Sequence, residues 1–284
     1  MKIAVIGSNG QLGTDLVKVI GTTHDVVPLT HGDIDVSDYS SCVILKDHQP
    51  DVIINTAAFH KTDQCEEESF KTFSVNALGA RNIATISKEM KATSVYISTD
   101  YVFDGTKKTP YSETDIPIPI NTYGISKLAG ECFTAQNPKH YIIRIASVFG
   151  QAGSSGKGGN FVETMINKAK NEDAITVVDD MWMSPTYTKD GSALLKEMLE
   201  KQIPYGVYHT TNKGYCSWFQ FAQEIFRLTG LTPDLKPTKT DPNYGKAKRP
   251  IFSALTSTKL CKHNLGSRSW EEALKAYLLE KGHI

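Results

Sequence analysis

Lys2-Ile3-Ala4-Val5-Ile6-Gly7-Ser8-Asn9-Gly10-Gln11-Leu12-Gly13 is the stretch that decides the fold. A short apolar run ending in glycine reads as a strand buried on both faces. From Gln11 to Ile20, the apolar residues Leu12, Leu16, Val19 and Ile20 take a helical spacing. Between strand and helix, Gly7 permits a tight turn, Gly10 lets backbone approach a pyrophosphate, and Gly13 lets the helix pack closely on the strand. The helix N-terminus then offers unpaired N–H groups to phosphate. Gly7, Gly10, Gln11, Leu12 and Gly13 are therefore candidate dinucleotide contacts.

Outward from this turn the alternation continues. Residues 26–29, 51–55, 95–98 and 141–145 read as strands. Residues 69–90 read as a helix whose apolar face draws on Phe70, Phe73, Ala77, Ala80, Ile83 and Ala84, and residues 123–133 as another. Strands alternating with helices predict an α/β fold, a doubly wound parallel Rossmann-type sheet. After Gly150 the texture changes. Residues 151–159 read as a surface loop, and 232–250, rich in Pro, Lys and Thr, as irregular. Helices are expected near 160–170, 190–200, 217–229 and 270–280, and strands near 174–178 and 206–210. The expected division is a dinucleotide-binding domain over 1–150 plus about 187–205, and a smaller α/β C-terminal substrate cap over 151–186 and 206–284.

The 284 residues carry 31 Lys plus Arg against 31 Asp plus Glu, a formal net charge of zero. Binding to a nucleic-acid backbone needs a cationic surplus, so no nucleic acid is expected as partner. No apolar run approaches the ~18 residues of a membrane span, so no membrane partner is expected either. The cysteines at 42, 65, 132, 216 and 261 are odd in number and lack metal-knuckle or redox spacing. No signal-peptide pattern stands at the start, and a cytoplasmic protein with free thiols is expected.

Tyr123 and Lys127 lie four positions apart, on one helix face. A free phenol gives up its proton poorly near neutrality, and a nearby cation favours the phenolate. Such a phenol can serve a carbonyl or alcohol oxygen as acid or base, while the lysine can also hold ribose hydroxyls. Thr99 ends the strand before this helix, at the carboxyl edge where open α/β sheets bind ligands. Its hydroxyl can donate to the same oxygen.

The Gly-x-x-Gly-x-x-Gly spacing resembles the extended branch of the short-chain dehydrogenase/reductase superfamily. Asp35-Val36 resembles the pair that contacts adenine, although Asp35 equally suits a helix cap before Tyr39. Asn55-Thr56-Ala57-Ala58 resembles the turn on which the cofactor lies, with Ala57 and Ala58 as contacts. Asn76 resembles the superfamily's structural asparagine, and a helix-surface amide is its alternative. Leu29-Thr30-His31 ends the second strand with neither a ribose-binding carboxylate nor an adjacent Arg. The cofactor therefore stays open between NADPH and NADH.

Longer strings narrow the resemblance. Residues 98–105, Ser-Thr-Asp-Tyr-Val-Phe-Asp-Gly, and 123–131, Tyr-Gly-Ile-Ser-Lys-Leu-Ala-Gly-Glu, are similar to the dTDP-4-dehydrorhamnose reductase family. So are Gly159-Asn160-Phe161-Val162, Ser184-Pro185-Thr186, Gly206-Val207-Tyr208-His209 and Ala247-Lys248-Arg249-Pro250. The resemblance implies Thr99, Tyr123 and Lys127 as catalytic residues, and reduction of the C4 ketone of a dTDP-4-keto-6-deoxyhexose. It implies a sugar pocket that includes Thr99, Tyr101, Val102, Phe103, Tyr123 and Asn160; Val102 and Phe103 equally suit the core. Arg249 is the candidate diphosphate contact, with a solvated basic loop as its alternative.

Some family members carry magnesium and a dimer contact. Asp15 is the only candidate ligand at the matching position and no carboxylate cluster accompanies it, so no metal residue is assigned and a monomer or weak homodimer is expected. Two departures stand out: Ser147 occupies a position where the family often has Trp, and Met181-Trp182-Met183 replaces a segment that tends to hold Gly, with Trp182 as a substitute aromatic surface. Two rivals remain: an epimerase holding NAD tightly, and a non-catalytic NADP-binding protein like the regulatory subunit of methionine adenosyltransferase. Dehydratases of the group carry Thr-Asp-Glu; here Thr99-Asp100 is followed by Tyr101.

Overall fold

The computed structural model describes residues 1–153, 159–171, 174–241 and 245–284. Six strands form one sheet: β1 (Lys2–Ile6), β2 (Asp25–Leu29), β3 (Val52–Asn55), β4 (Thr93–Thr99), β5 (His140–Ile145) and β6 (Gly206–His209). Their order is β6-β5-β4-β3-β1-β2, and every pairing is parallel. Strand order reverses direction between β1 and β3, which opens a crevice at their carboxyl ends.

The principal helices are α1 (Gln11–Ile20), α2 (Gly79–Glu89), α3 (Thr122–Thr134), α4 (Phe161–Asn171), α5 (Thr188–Glu200), α6 (Trp218–Thr229) and α7 (Trp270–Lys281). Side chains of β1 alternate between two buried faces. Ile3 and Val5 meet Leu16 and Ile20 of α1 and Leu194, Leu195 and Met198 of α5. Ala4 and Ile6 share the other core with Leu45 and with Ile83 and Ile86 of α2. A third core lies in the C-terminal half, where Val162, Met165, Phe221, Trp270 and Tyr277 enclose Phe149. Its helices α6 and α7 each begin with a reciprocal serine capping box, Ser217 with Gln220 and Ser269 with Glu272.

Four expectations need correction. Residues 206–209, assigned above to the cap, form β6, the edge strand beside β5; the crossover through α5 returns them to the central sheet. The single helix over 69–90 is broken into Ser69–Phe73, a π turn at Ser74–Leu78, and α2. The Tyr96 hydroxyl donates to the Asn76 carbonyl at 2.7 Å, giving that carbonyl a partner outside the helix. Phe70, placed on the apolar face, is 87% exposed. The stretch 232–250 is not wholly irregular, since Asp234–Thr238 pairs in parallel with Ala174–Val178. Residues 242–244 of that stretch, and 154–158 of the expected 151–159 loop, lie outside the described residues.

Candidate active site

A cleft of about 900 Å³ runs along the carboxyl ends of the strands, between the sheet and the C-terminal half. Its floor is the glycine turn. Gly7 has φ +77°, and its N–H donates to the Leu29 carbonyl at 2.8 Å. A Cβ at Gly7 would press on the Thr56 hydroxyl, and one at Gly13 would collide with the Gly7 carbonyl. Gly10 is the N-cap of α1 without any side-chain cap, which leaves the first N–H groups open to the cleft. Gln11 donates from Nε2 to the Val148 carbonyl at 2.8 Å, while its buried Oε1 has no partner among the described residues. A side-chain-free cradle, an uncapped helix end and an orphaned acceptor fit a dinucleotide, whose phosphates and hydroxyls answer each of them.

The other expected cofactor residues also reach this cleft: Leu12, Asp35, Val36, Ala57, Ala58, Tyr123 and Lys127 all line it. Asp35 accepts from the Ser37 N–H and hydroxyl at 2.9 and 2.7 Å, and these bonds hold its carboxyl below the usual range. The cap before Tyr39 is instead Asp38, which accepts from Ser40 N–H. Asp33 is occupied by Thr30, whose N–H and hydroxyl donate to it at 2.8 and 2.7 Å. His31 lines the cleft beside it, a position that the sequence reading left without a role.

Thr99 closes β4. Its hydroxyl donates to Asp100 Oδ1 at 3.0 Å and accepts the Tyr101 N–H at 3.2 Å. Tyr123 enters on the first turn of α3, which Asn121 caps by accepting the Gly124 N–H at 2.8 Å. Gly124 brings that turn so close to β4 that a Cβ would strike the Tyr101 carbonyl. Burial pushes the Tyr123 phenol above its ordinary value; its hydrogen bond with Thr99 pulls the other way and the Asp100 charge adds to the rise. The Lys127 ammonium donates to the Ile97 carbonyl at 2.6 Å and lies 4.0 Å from the centre of the Tyr96 ring. Burial pushes it down to about 7, against the pull of Glu131. The expected acidification of Tyr123 by Lys127 is thus not what governs this cleft. The ammonium is anchored to the strand behind the phenol, and desolvation sets both groups. A phenol held protonated is the form that can donate to an oxygen becoming negative.

The expected sugar contacts divide. Tyr101 lines the cleft, its ring edge-to-face with Tyr123 at 6.0 Å. Val102 and Phe103 do not: both are fully buried, with Phe103 stacked on Tyr111 at 4.2 Å. The tight 3₁₀ turn Asp100–Val102 sends Tyr101 outward and its successors into the core. Asn160 lines the cleft, but its amide donates to Gly150 and Tyr277, both at 3.0 Å, and its oxygen caps α4. Arg249 lines the cleft with Nη2 2.6 Å from Asp63 Oδ2. Trp182 packs against Tyr215 and Phe252. The aromatic wall of the cleft is instead Phe161 and Trp218, with ring centres 4.6 Å apart. Ser147 lines the cleft in the left-handed region, at φ +43°. Asn76 is fully buried, bonded to both backbone groups of Phe59 and to Ser126, and the surface-amide alternative falls.

Asp15 does not suit magnesium. It accepts from the Thr188 hydroxyl, and Glu280 is already engaged by Lys189 at 2.9 Å and Tyr187 at 2.5 Å. Among the described residues no three His, Cys, Asp or Glu side chains come together as ligands, and no helix is long and apolar enough to cross a membrane.

A parallel doubly wound sheet, a glycine turn after its first strand and a Tyr-x-x-x-Lys helix facing the same crevice define an extended short-chain dehydrogenase/reductase. Within that class the chain matches one family over residues 1–282, described as the RmlD substrate binding domain. The chain belongs to this family. It is 38% identical over 283 residues to the spore coat polysaccharide biosynthesis protein SpsK of Bacillus subtilis, covering 99% of this chain and 98% of the relative. It is similar to the crystal structure of a dTDP-4-dehydrorhamnose reductase from Clostridium acetobutylicum, with TM-score 0.93, 39% identity and coverage of 99% and 100%. It is also similar to the dTDP-4-dehydrorhamnose reductase of Bacillus anthracis in complex with NADP, with TM-score 0.92, 36% identity and coverage of 98% and 99%.

Proposed function

We propose that this protein is a dTDP-4-dehydrorhamnose reductase that uses NADPH to reduce the C4 ketone of dTDP-4-dehydro-L-rhamnose to dTDP-L-rhamnose. The observation that carries the reading is the meeting of Thr99, Tyr123 and Lys127 with the glycine turn in one cleft. Bound NADPH supplies the hydride. The glycine turn and the N-terminus of α1 hold its pyrophosphate, and Lys127 its ribose. NADPH is preferred over NADH because the carboxylate of Asp33 is spent on Thr30, which leaves His31 rather than an acid at the end of β2. Tyr123 gives its proton to the ketone oxygen as that oxygen gains charge, and Thr99 helps to orient it. Tyr101 flanks the sugar, and Arg249 meets the diphosphate. Tyr101 stands where a dehydratase would have its second carboxylate, so reduction is favoured over elimination.

The reaction is placed in the cytoplasm, where unpaired Cys42, Cys65, Cys132, Cys216 and Cys261 stay reduced. The protein acts as a monomer or weak homodimer, which sedimentation equilibrium tests. The activity is tested by mixing protein, dTDP-4-dehydrorhamnose and NADPH and following loss of nicotinamide absorbance. Tyr123→Phe is expected to lower kcat by about 10²–10⁴-fold with NADPH affinity nearly unchanged. Equal rates for variant and wild type would remove the acid role from Tyr123.

A further inference from the structure

We propose that Asp100 is a positioning residue of this reductase: its protonation decides which way the Thr99 hydroxyl directs its proton, and so whether Thr99 and Tyr123 face the ketone as donors. The inference rests on the activity proposed above and deepens it.

Asp100 begins the 3₁₀ turn after β4, is 4% exposed, and lines the cleft. A hydroxyl has one proton and two lone pairs. With Asp100 ionised, the Thr99 proton goes to Asp100 Oδ1 at 3.0 Å, and one lone pair takes the Tyr101 N–H at 3.2 Å. The remaining lone pair is left for the Tyr123 hydroxyl, which shares the cleft with Thr99. Thr99 then has nothing left to give a ketone, and the Tyr123 proton is drawn toward Thr99. With Asp100 protonated, the carboxyl O–H donates to Thr99, the Tyr101 N–H keeps its lone pair, and the Thr99 proton turns to the cleft. The Tyr123 O–H is then free to point at the substrate.

The protons balance. Hydride from the reduced nicotinamide forms the new C4–H bond and the carbonyl π pair moves onto oxygen; the sugar is reduced and the cofactor oxidised. That oxygen takes the Tyr123 proton, and the phenolate regains a proton from water after product leaves. Asp100 keeps its own proton throughout and acts only by setting the direction of the Thr99 hydroxyl.

Burial raises the Asp100 carboxyl to about 6, while hydrogen bonds from Ser253 and Thr99 work against the rise. The ionisable groups around it come from several elements. Tyr101 and Tyr123 are both raised by burial; Arg249 and Asp63 act on Tyr101 from opposite signs; and Cys65, its thiol also raised by burial, stands beside Tyr123. Lys127, on the helix of Tyr123, is bonded to Ile97.

The test is kcat against pH, from about pH 5 to about pH 8.5, with saturating NADPH and dTDP-4-dehydrorhamnose. Three proteins are compared: wild type, Asp100→Asn and Ser253→Ala. Wild-type kcat is expected to fall as pH rises past one midpoint, approaching about tenfold per unit. Asp100→Asn keeps a donor facing Thr99 and cannot ionise, so its profile is flat and at the upper end it turns over at least as fast as wild type. Ser253→Ala removes a bond to the ionised carboxylate, so the wild-type limb moves to higher pH. An Asn variant that titrates like wild type, or an unmoved midpoint in Ser253→Ala, overturns the proposal. If Asp100→Asn fails to fold by circular dichroism, the Ser253→Ala midpoint alone decides. Turnover with an unaltered profile sinks this inference only; no turnover at any pH sinks the reductase reading and this with it.

Discussion

Lys127 is 2% exposed and its ammonium is pushed down to about 7 by burial, so near neutrality the free enzyme holds it in both forms. A bound dinucleotide brings phosphate charge and ribose oxygens, which favour the ammonium and raise its pKa. The sign follows by linkage. Below pH 7 the lysine is charged in both states and affinity is at its maximum; above 7 the free enzyme must take up a proton to bind, and affinity falls until the raised pKa of the complex is passed. Calorimetric titration with NADPH in buffers of different ionisation enthalpy is expected to show proton uptake above pH 7 that Lys127→Met abolishes. Uptake persisting in Lys127→Met would assign it to another group. At this scale the sequence shows which residue types meet: the spacing of Tyr123 and Lys127 and the position of Thr99 are readable because they follow helix and strand periodicity. Their charge states are not, because the Ile97 carbonyl that captures Lys127 and the burial of Asp100 arise only once β4 and α3 are packed.

At the scale of elements, the turn at Ser74–Leu78 carries most of the joinery around the site. The Asn76 side chain ties the segment after β3 through Phe59 and ties α3 through Ser126, while its carbonyl receives Tyr96 from β4. Asn76→Ala leaves both backbone groups of Phe59 without their partner, an expected loss of about 1–3 kcal/mol. Urea denaturation is expected to show a lower midpoint with an unchanged slope, and an unmoved midpoint would mean that water replaces the amide at no cost. The apolar runs and helical faces of β1, α1, β3, β4 and α3 are legible because local periodicity specifies them. The π turn is not, since Tyr96 and Ser126 lie 20 and 50 residues away in sequence. The seating of β6 escapes for the same reason: four residues of strand carry no mark of which sheet they join, and parallel pairing with β5 is decided by the crossover through α5.

For the molecule as a whole, 31 positive and 31 negative side chains leave no net field to steer an anionic nucleotide sugar, so its recognition falls to cations on the cleft wall. Arg249, proposed above as the diphosphate contact, is held by a distant helical turn: Asp63 accepts from its Nη2 at 2.6 Å and Thr62 at 3.3 Å. The arrangement brings the C-terminal stretch against the Thr62–Glu67 turn and closes one side of the cleft. Arg249→Gln removes the guanidinium without unseating Asp63, which keeps the N–H groups of Lys246 and Ala247 at 2.8 and 3.0 Å. It also takes a cation from the cleft wall, so the diphosphate loses an attraction there. KM for the nucleotide sugar is expected to rise about tenfold or more while kcat changes less. Wild-type KM is expected to climb with added salt, because a partly open guanidinium is screened by mobile ions, and the variant's KM to respond much less. Steady-state kinetics across about 0.02–0.5 M sodium chloride checks both statements. A variant whose KM and salt response match those of wild type would place the diphosphate away from Arg249, and the cation that holds it would have to be sought elsewhere on the cleft wall.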